Sequence, residues 1–298
     1  MLTENRNPNS ARIDVLPSLD IVRVISAEDQ HAARIVAEAA PAIAQAIDAV
    51  VERWPRGGRL IYIGAGTSGR LGILDAVECL PTYGVPADRV IGLIAGGEAA
   101  FVRSVEGAED RPELGEGDLR AIGLTAADVV VGIAASGHTP YTLGAIAYAD
   151  HIGAATVGIS CNAPAPLLEA AQIAIALPVG PEVVTGSTRM KAGTAQKLTL
   201  NMISTGAMVR LGKVYGNLMV DVQVSNSKLV RRAQGIVREI GGVSADEAAR
   251  LLDAAGGHAK TAIVMARRGV NAHEARALLD AADGFLRRVI DPAEAETP

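Results

Sequence analysis

The chain has 298 residues and a formal net charge of −5, so it is long enough to bury a substantial core and shows no excess of Lys and Arg that would neutralise the phosphates of a nucleic acid. Hydrophobic residues make up 49% but aromatics only 3%, with 32 glycines, which predicts a core of Ala, Val, Ile and Leu and close helix-on-sheet packing. No stretch approaches the roughly 20 apolar residues of a membrane span, and the polar start MLTENRNPNSARID has no signal-peptide hydrophobic region. A cytoplasmic protein with neither a membrane nor a nucleic-acid partner is expected.

After the polar start, residues 26–53 carry Ile35, Val36, Ala39, Ile43, Ile47 and Val50 at helical spacing and predict one long amphipathic helix. Trp54-Pro55 and Gly57-Gly58 end it. Five short apolar runs follow, RLIYIG, RVIGLIAG, DVVVGIAAS, AATVGIS and IAIALPV, each separated by a helical segment or a longer loop. That alternation predicts an α/β fold, a five-stranded parallel sheet with helices on both faces. Ser187 to about Leu211 reads as one continuous helix. Beyond about residue 225 the chain turns Ala- and charge-rich, and Ser244-x-x-Glu247 and Asn271-x-x-Glu274 mark helix entries. The segments starting there, SADEAARLLDAAG and NAHEARALLDAADG, resemble each other and read as a helical pair rather than an array. Three regions are expected: 1–53, an arm and helix packing on the core; 54–224, the α/β domain; and 225–298, a small helical subdomain.

Gly64, Gly66 and Gly69 complete a G-x-G-x-x-G pattern directly after the first apolar run. A dinucleotide fold also needs an acidic residue about 20 positions on, at the end of the second strand. Asp88 precedes the run VIGLIA, and that run ends in Ala95-Gly96-Gly97, so the pattern points away from NAD. Thr67 and Ser68 add hydroxyls that a plain pyrophosphate turn does not need. A second loop, Ala135-Ser136-Gly137-His138-Thr139-Pro140, follows the third strand, and a third segment, Thr185-Gly186-Ser187-Thr188-Arg189, opens the long helix near residue 188. Any one of these is an ordinary helix cap. Together, at the carboxyl ends of parallel strands, their N–H groups and hydroxyls suit the phosphate of a small molecule. Gly66, Thr67, Ser68, Ser136, Gly137, Thr139 and Ser187, with Glu182 after the fifth strand, are the candidate binding residues.

Carboxylates recur near these loops: Glu78 in Asp75-Ala-Val-Glu78-Cys79, Glu106 and Glu109 in Glu106-Gly-Ala-Glu109-Asp110, and Glu182 after the fifth strand. Paired acids suit a reaction in which one group removes a proton and another delivers one, and the pattern alone does not rank the four. Cys79 and Cys161 are too isolated for a disulfide framework, and the five histidines lack ligand spacing, so no metal is expected.

Read together, GAGTSGRLGILDAVECLPTYG, IAGGEAAFVRSVEGAED, GIAASGHTPYTLGA and GPEVVTGSTRMKAGTAQKLTLNMISTGAMVRLGKVYGNLMVD, with TENRNPNS at the start, resemble the N-acetylmuramic acid 6-phosphate etherases of the sugar isomerase (SIS) domain superfamily over nearly the whole chain. The resemblance implies a SIS-type αβα sandwich over 54–224, a homodimer, no cofactor, and a lyase that splits the D-lactyl ether of N-acetylmuramate 6-phosphate into N-acetylglucosamine 6-phosphate and D-lactate in cell-wall sugar recycling. It implies Glu78 as proton donor, Glu109 as the second active-site acid, and Thr67, Ser68, Ser136 and Thr139 as phosphate and sugar contacts. The sequence departs from the family pattern at Leu80, where Pro is expected, and at His138, where Arg is expected; the second change removes a permanent cation. A phosphosugar isomerase of the same superfamily would use the same crevice without an acid for a C3 leaving group, and a phosphosugar-sensing protein would bind without turnover.

Overall fold

Parallel pairing of five apolar strands organises the first of two units into which the chain divides, Met1–Val77 with Ala87–Gly206; the second comprises Glu78–Pro86 and Ala207–Pro298. The structure is a computed structural model that describes residues 1–103, 105–224 and 226–294. Three short 3-10 turns, Leu2–Glu4, Pro8–Ser10 and Ile13–Val15, open the chain, followed by α1 (Ser18–Glu38) and α2 (Ala40–Arg53). Then β1 (Leu60–Gly64) leads through α3 (Gly66–Tyr83) to β2 (Val90–Ile94), and α4 (Ala99–Val102) and α5 (Pro112–Ala121) precede β3 (Val129–Ala134). The helix α6 (Pro140–Ile152) leads to β4 (Ala155–Ser160), α7 (Pro166–Ala170) to β5 (Ile173–Ala176), and α8 (Lys191–Arg210) follows. Among the described residues no helix is long and apolar enough to cross a membrane.

The sheet order is β2-β1-β3-β4-β5 and every pairing is parallel, as the five apolar runs predict. Every residue of β1, β3 and β4 is buried, because crossover helices cover a parallel sheet on its faces. Ile61, Ile63 and Val130 meet Leu119, Tyr141, Ile146 and Leu167 in one core cluster. The third glycine of the G-x-G-x-x-G pattern has a packing role: a Cβ on Gly69 would stand 2.6 Å from the Gly64 carbonyl oxygen and 2.7 Å from Ile94 Cγ1.

Two helical expectations are corrected. The single helix expected over 26–53 is α1 followed by α2, parted at Ala39, because Pro41 has no N–H for the carbonyl four residues back and suits the opening turn of a new helix. The helix expected from Ser187 begins at Lys191 instead, and Ser187 and Met190 are tied in turns by Ser187 N–H to Val184 O and Met190 N–H to Ser187 O.

The second unit adds the hairpin β6 (Val214–Tyr215) and β7 (Leu218–Met219) and the helices α9 (Ser227–Gly241), α10 (Ala245–Ala254), α11 (Ala259–Arg268), α12 (Ala272–Ala281) and α13 (Leu286–Ile290). Its core is built from Ala233, Val237, Leu252, Ile263, Val264 and Leu279 with their neighbours. Both expected helix entries hold: Ser244 Oγ accepts from Glu247 N–H, and Asn271 and Glu274 form a reciprocal capping box.

A buried ion pair fastens the entries of β1 and β3 in the first unit. The Asp128 carboxylate, 1% exposed, accepts from Arg59 N–H at 2.9 Å, Arg59 Nη2 at 2.7 Å and Thr125 N–H at 2.8 Å. Burial alone would raise the Asp128 pKa, but the hydrogen bonds from Arg59 and from the backbone of Thr125 and Arg59 outweigh it and hold the pKa below the usual carboxylate value. Such a group favours the folded state above its unfolded pKa, and that contribution is lost as pH falls through the lower folded value. Asp128→Ala leaves a partly buried guanidinium without its partner and is expected to lower unfolding stability by about 3–5 kcal/mol in a urea titration.

Candidate active site

The sheet order reverses between β1 and β3, whose following helices depart from neighbouring strand ends, and such a switch point opens a crevice beyond the carboxyl ends of the strands. The crevice has a volume of about 360 Å³. One wall is the turn from β1 into α3, with Gly66, Thr67 and Ser68; the opposite wall is the loop before α6, with Ser136, His138 and Thr139; Glu109 and Asp110 complete the rim. Only Ala65 separates β1 from α3, and Gly66 takes a φ of +53° to make the turn. The opening N–H groups of α3 have no carbonyl one turn earlier to bond within the helix, and the dipole adds partial positive charge at that end.

The second loop is shaped by its glycine. Gly137 has φ +73°, and a Cβ there would stand 2.5 Å from both Ser160 Oγ and Ala165 Cβ, so its part is to let the loop pass close to β4. Ser136 Oγ accepts from His138 N–H at 3.1 Å, and His138 Nδ1 lies 2.9 Å from Ser136 O. Thr139 stands at the N-cap of α6 with no side-chain cap bond, and Pro140 after it has no N–H to give. The next N–H, that of Tyr141, donates to the backbone carbonyl of Glu109 at 3.0 Å. Glu109 is thereby fixed against α6 by its main chain while its side chain stays exposed. Tyr141 is itself anchored: fully buried, its hydroxyl donates to Asp118 Oδ2 on α5 at 2.6 Å.

A smaller hollow of about 190 Å³ adjoins the crevice and shares Ala65, Gly66 and Glu109 with it, and Glu106 and Arg70 line its far side. Arg70 donates from Nε to Phe101 O and from Nη2 to Ala100 O, which ties α3 to the segment that carries Glu106.

The remaining sequence candidates fall elsewhere. Ser187 does not line the crevice; its neighbour Thr188 does. Glu182 is 1% exposed and lies beneath the first turn of α8, where its carboxylate accepts from Lys191 N–H at 3.1 Å and Ala192 N–H at 3.0 Å. It serves as a cap for orphan donors, and Lys191, just above it, pairs with Glu28 of α1. Ser68 lines the crevice while its hydroxyl donates to Gln196 of α8 at 2.9 Å. Asp75 accepts from Asn201 and Ser204 and so joins α3 to α8. Glu78 is exposed, belongs to the segment of α3 assigned to the second unit, and is not among the residues lining the crevice.

Sequence reasoning missed the start of the chain. Met1, Thr3 and Glu4 line the crevice. Asn162, buried after β4, holds them: its Oδ1 accepts from Thr3 N–H at 3.3 Å, and its Nδ2 donates to Thr3 Oγ1 at 3.1 Å and Ala135 O at 2.9 Å. Further along, Asn7 donates to Pro181 O and Ser10 to Val183 O. The only local signal was the turn chemistry of Asn7-Pro8, since a polar arm carries no periodicity.

Family models match this architecture: a SIS domain over residues 119–205, the N-terminal SIS domain of glucokinase regulatory protein over 42–150, and the C-terminal lid domain of that protein over 216–255. The crevice is thus set in an α/β fold of the SIS class. Proteins named N-acetylmuramic acid 6-phosphate etherase match over most of the chain: one from Vibrio vulnificus YJ016 is 60% identical over 89% of this chain and 88% of its own length, one from Aeromonas hydrophila is 59% identical over 89% of each, and one from Cronobacter sakazakii is 54% identical over 98% of each. The chain belongs to the N-acetylmuramic acid 6-phosphate etherase family. Among solved structures, a putative phosphosugar isomerase from Bacteroides fragilis NCTC 9343 is 20% identical with a TM-score of 0.48, over 64% of this chain and 91% of that one.

Two outcomes follow from the hydrogen bonds around the crevice. Burial raises the Glu182 pKa more than the N–H groups of Ala192 and Lys191 lower it. A carboxyl with a raised folded pKa favours folding fully only below its unfolded value, about 4.3, and that contribution fades as pH rises through the folded value. Glu182→Gln should therefore flatten the fall of thermal midpoint with rising pH above about 4.3, and an unchanged slope would remove this role. Asn162→Ala should loosen the Met1–Glu4 wall and raise KM for the substrate more than it lowers kcat, measured by steady-state kinetics.

Proposed function

We propose that the crevice between the β1 and β3 ends carries out the reaction of the family, cleavage of the D-lactyl ether of N-acetylmuramate 6-phosphate to give N-acetylglucosamine 6-phosphate and D-lactate in cell-wall amino sugar recycling. The observation that carries this reading is the convergence, in one 360 Å³ space, of a helix N-terminus, the hydroxyls of Thr67, Ser68, Ser136 and Thr139, and the carboxylate of Glu109. The opening turn of α3, where N–H groups and the Thr67 hydroxyl offer donors, is the proposed seat of the phosphate. Gly66 and Gly137 contribute through backbone approach. Ser187 and Glu182 support the wall from behind, beside Thr188 and under α8. We take the working unit to be a homodimer in the cytoplasm, as the sequence resemblance implies.

An ether oxygen leaves poorly, so the elimination needs an activated carbon acid next to it. With the sugar ring open, the C2 proton is adjacent to the aldehyde. Glu109 takes that proton, the C2–H electron pair becomes the C2–C3 double bond, and the C3–O bond breaks. The departing oxygen receives a proton from Glu78 and leaves as D-lactate. Water then adds across the double bond: its hydroxyl goes to C3 as its proton passes to Glu78, and Glu109 returns its proton to C2, so both carboxyls regain their starting states. Glu109 as the base is supported by its place on the crevice rim; Glu78 as the donor is supported by the family motif in which it stands.

Glu109→Gln should cut the release of D-lactate, followed with a lactate-oxidising coupled assay, by roughly 10²- to 10⁴-fold while sugar phosphate still binds, and Glu78→Gln should do the same. A fully active variant at either position removes that residue from the mechanism, and a wild-type protein that releases no lactate overturns the etherase reading. His138→Arg puts a permanent cation on the crevice wall and should lower KM by about tenfold, the scale of one charge-assisted hydrogen bond.

A further inference from the structure

A cavity lined by residues of the second unit alone plays no part in the reaction above. It has a volume of about 550 Å³, within the range of small-molecule sites. Lys213, Asp221, His258, Lys260, Thr261 and Arg276 line it, with Asp280 at the edge. Asp221 Oδ2 accepts from Lys260 Nζ at 2.7 Å and from Lys213 Nζ at 3.1 Å, so two ammonium groups share one carboxylate. Lys260, 5% exposed, also donates to Gly284 O at 2.8 Å. Arg276 adds a third cation and is held by Ala255 O at 3.0 Å.

Three basic side chains therefore stand with two carboxylates in the lining, and burial lowers the pKa of Lys260 against the opposing pull of Asp221. The field is felt at His258, whose Nε2 lies 4.0 Å from Asp221 Oδ1 and whose Nδ1 lies 2.7 Å from Thr261 Oγ1. Burial is the main cause that lowers its pKa; Asp221 opposes this, and Lys260, Arg276 and Lys213 add to the lowering. A buried ion pair is weak as a stability device, since an apolar pair of similar volume does as well or better. Two lysines, an arginine and a threonine hydroxyl arranged around an open volume make sense as donors to an incoming anion.

We infer that this cavity is a second binding site, for a phosphomonoester on a sugar-sized molecule, held by Lys213, Lys260, Arg276 and the Thr261 hydroxyl. A phosphate dianion presents three strong acceptor oxygens to those donors, while Asp221 stays neutralised beneath it. Its lining shares no residue with that of the crevice, where among the described residues there is no lysine or arginine.

Isothermal titration of the full-length protein with N-acetylglucosamine 6-phosphate at low ionic strength tests this. The wild type should bind two molecules per chain. The double variant Lys213→Ala, Arg276→Ala should bind one, losing at least tenfold in affinity at the second site, and inorganic phosphate should compete for that site in the wild type. Lys260 is left in place because its removal would strand a buried carboxylate. The crevice double variant Thr67→Val, Ser136→Ala should keep the cavity site, which separates failure of the crevice reading from failure of this one. Thermal midpoints of each variant check folding. A single molecule per chain in the wild type, retained by the cavity variant, overturns the inference, as does a cavity variant that still binds two.

Discussion

Backbone N–H groups at the start of a helix have no partner within it, and in this protein α3 and α6 begin next to each other at the ends of neighbouring parallel strands. That placement follows from sheet order, because α3 leads from β1 to β2 on one side while α6 leads from the adjacent β3 to β4 on the other. Unpaired helix-start N–H groups are thereby gathered in one place, and among the described residues lining it there is no lysine or arginine. The short side chains of Thr67, Ser68, Ser136 and Thr139 line the same space, and Gly137 lets the second loop pass close to Ser160 and Ala165. Site chemistry here is a property of chain direction before it is one of side chains.

Much of this was legible in residues. The five strands are runs of β-branched and apolar residues with turn chemistry between them, and burial on both faces is what such runs require. Helix entries at Ser244 and Asn271 were legible because capping is local. The division of residues 26–53 into two helices was legible too, in Pro41, but the apolar spacing on either side masks it. Ser187 and Thr188 are adjacent and chemically alike, so only the register of the turn before Lys191 decides which faces the crevice. Glu182 reads as an acid near a site, yet it satisfies two N–H groups of α8 across nine and ten residues, a distance that local pattern does not encode. The contribution of Met1, Thr3 and Glu4 depends on Asn162, some 159 residues away from Thr3, and long-range hydrogen bonding to an irregular arm leaves no periodic trace.

The two units solve the problem of holding charge in different ways. In the first, Asp128 and Arg59 are saturated by one another and by backbone groups, so that the pair is a fastening with nothing left over. In the second, Asp221 is shared by two lysines beside an open volume, and the surplus faces that volume. The same residue types thus mark a closed joint in one place and an unfinished one in the other, and the difference lies in how many donors meet each carboxylate.

The bond from Tyr141 N–H to the carbonyl of Glu109 has a wider meaning. It secures position 109 through main chain, and Tyr141 is in turn locked by its buried ring and by Asp118. The side chain at 109 is therefore a replaceable part on a fixed mount: its chemistry can be exchanged without moving the point in space from which it acts. Position and chemistry are thus separable at this point of the fold, as they are wherever a site is grafted on a scaffold that folds without it.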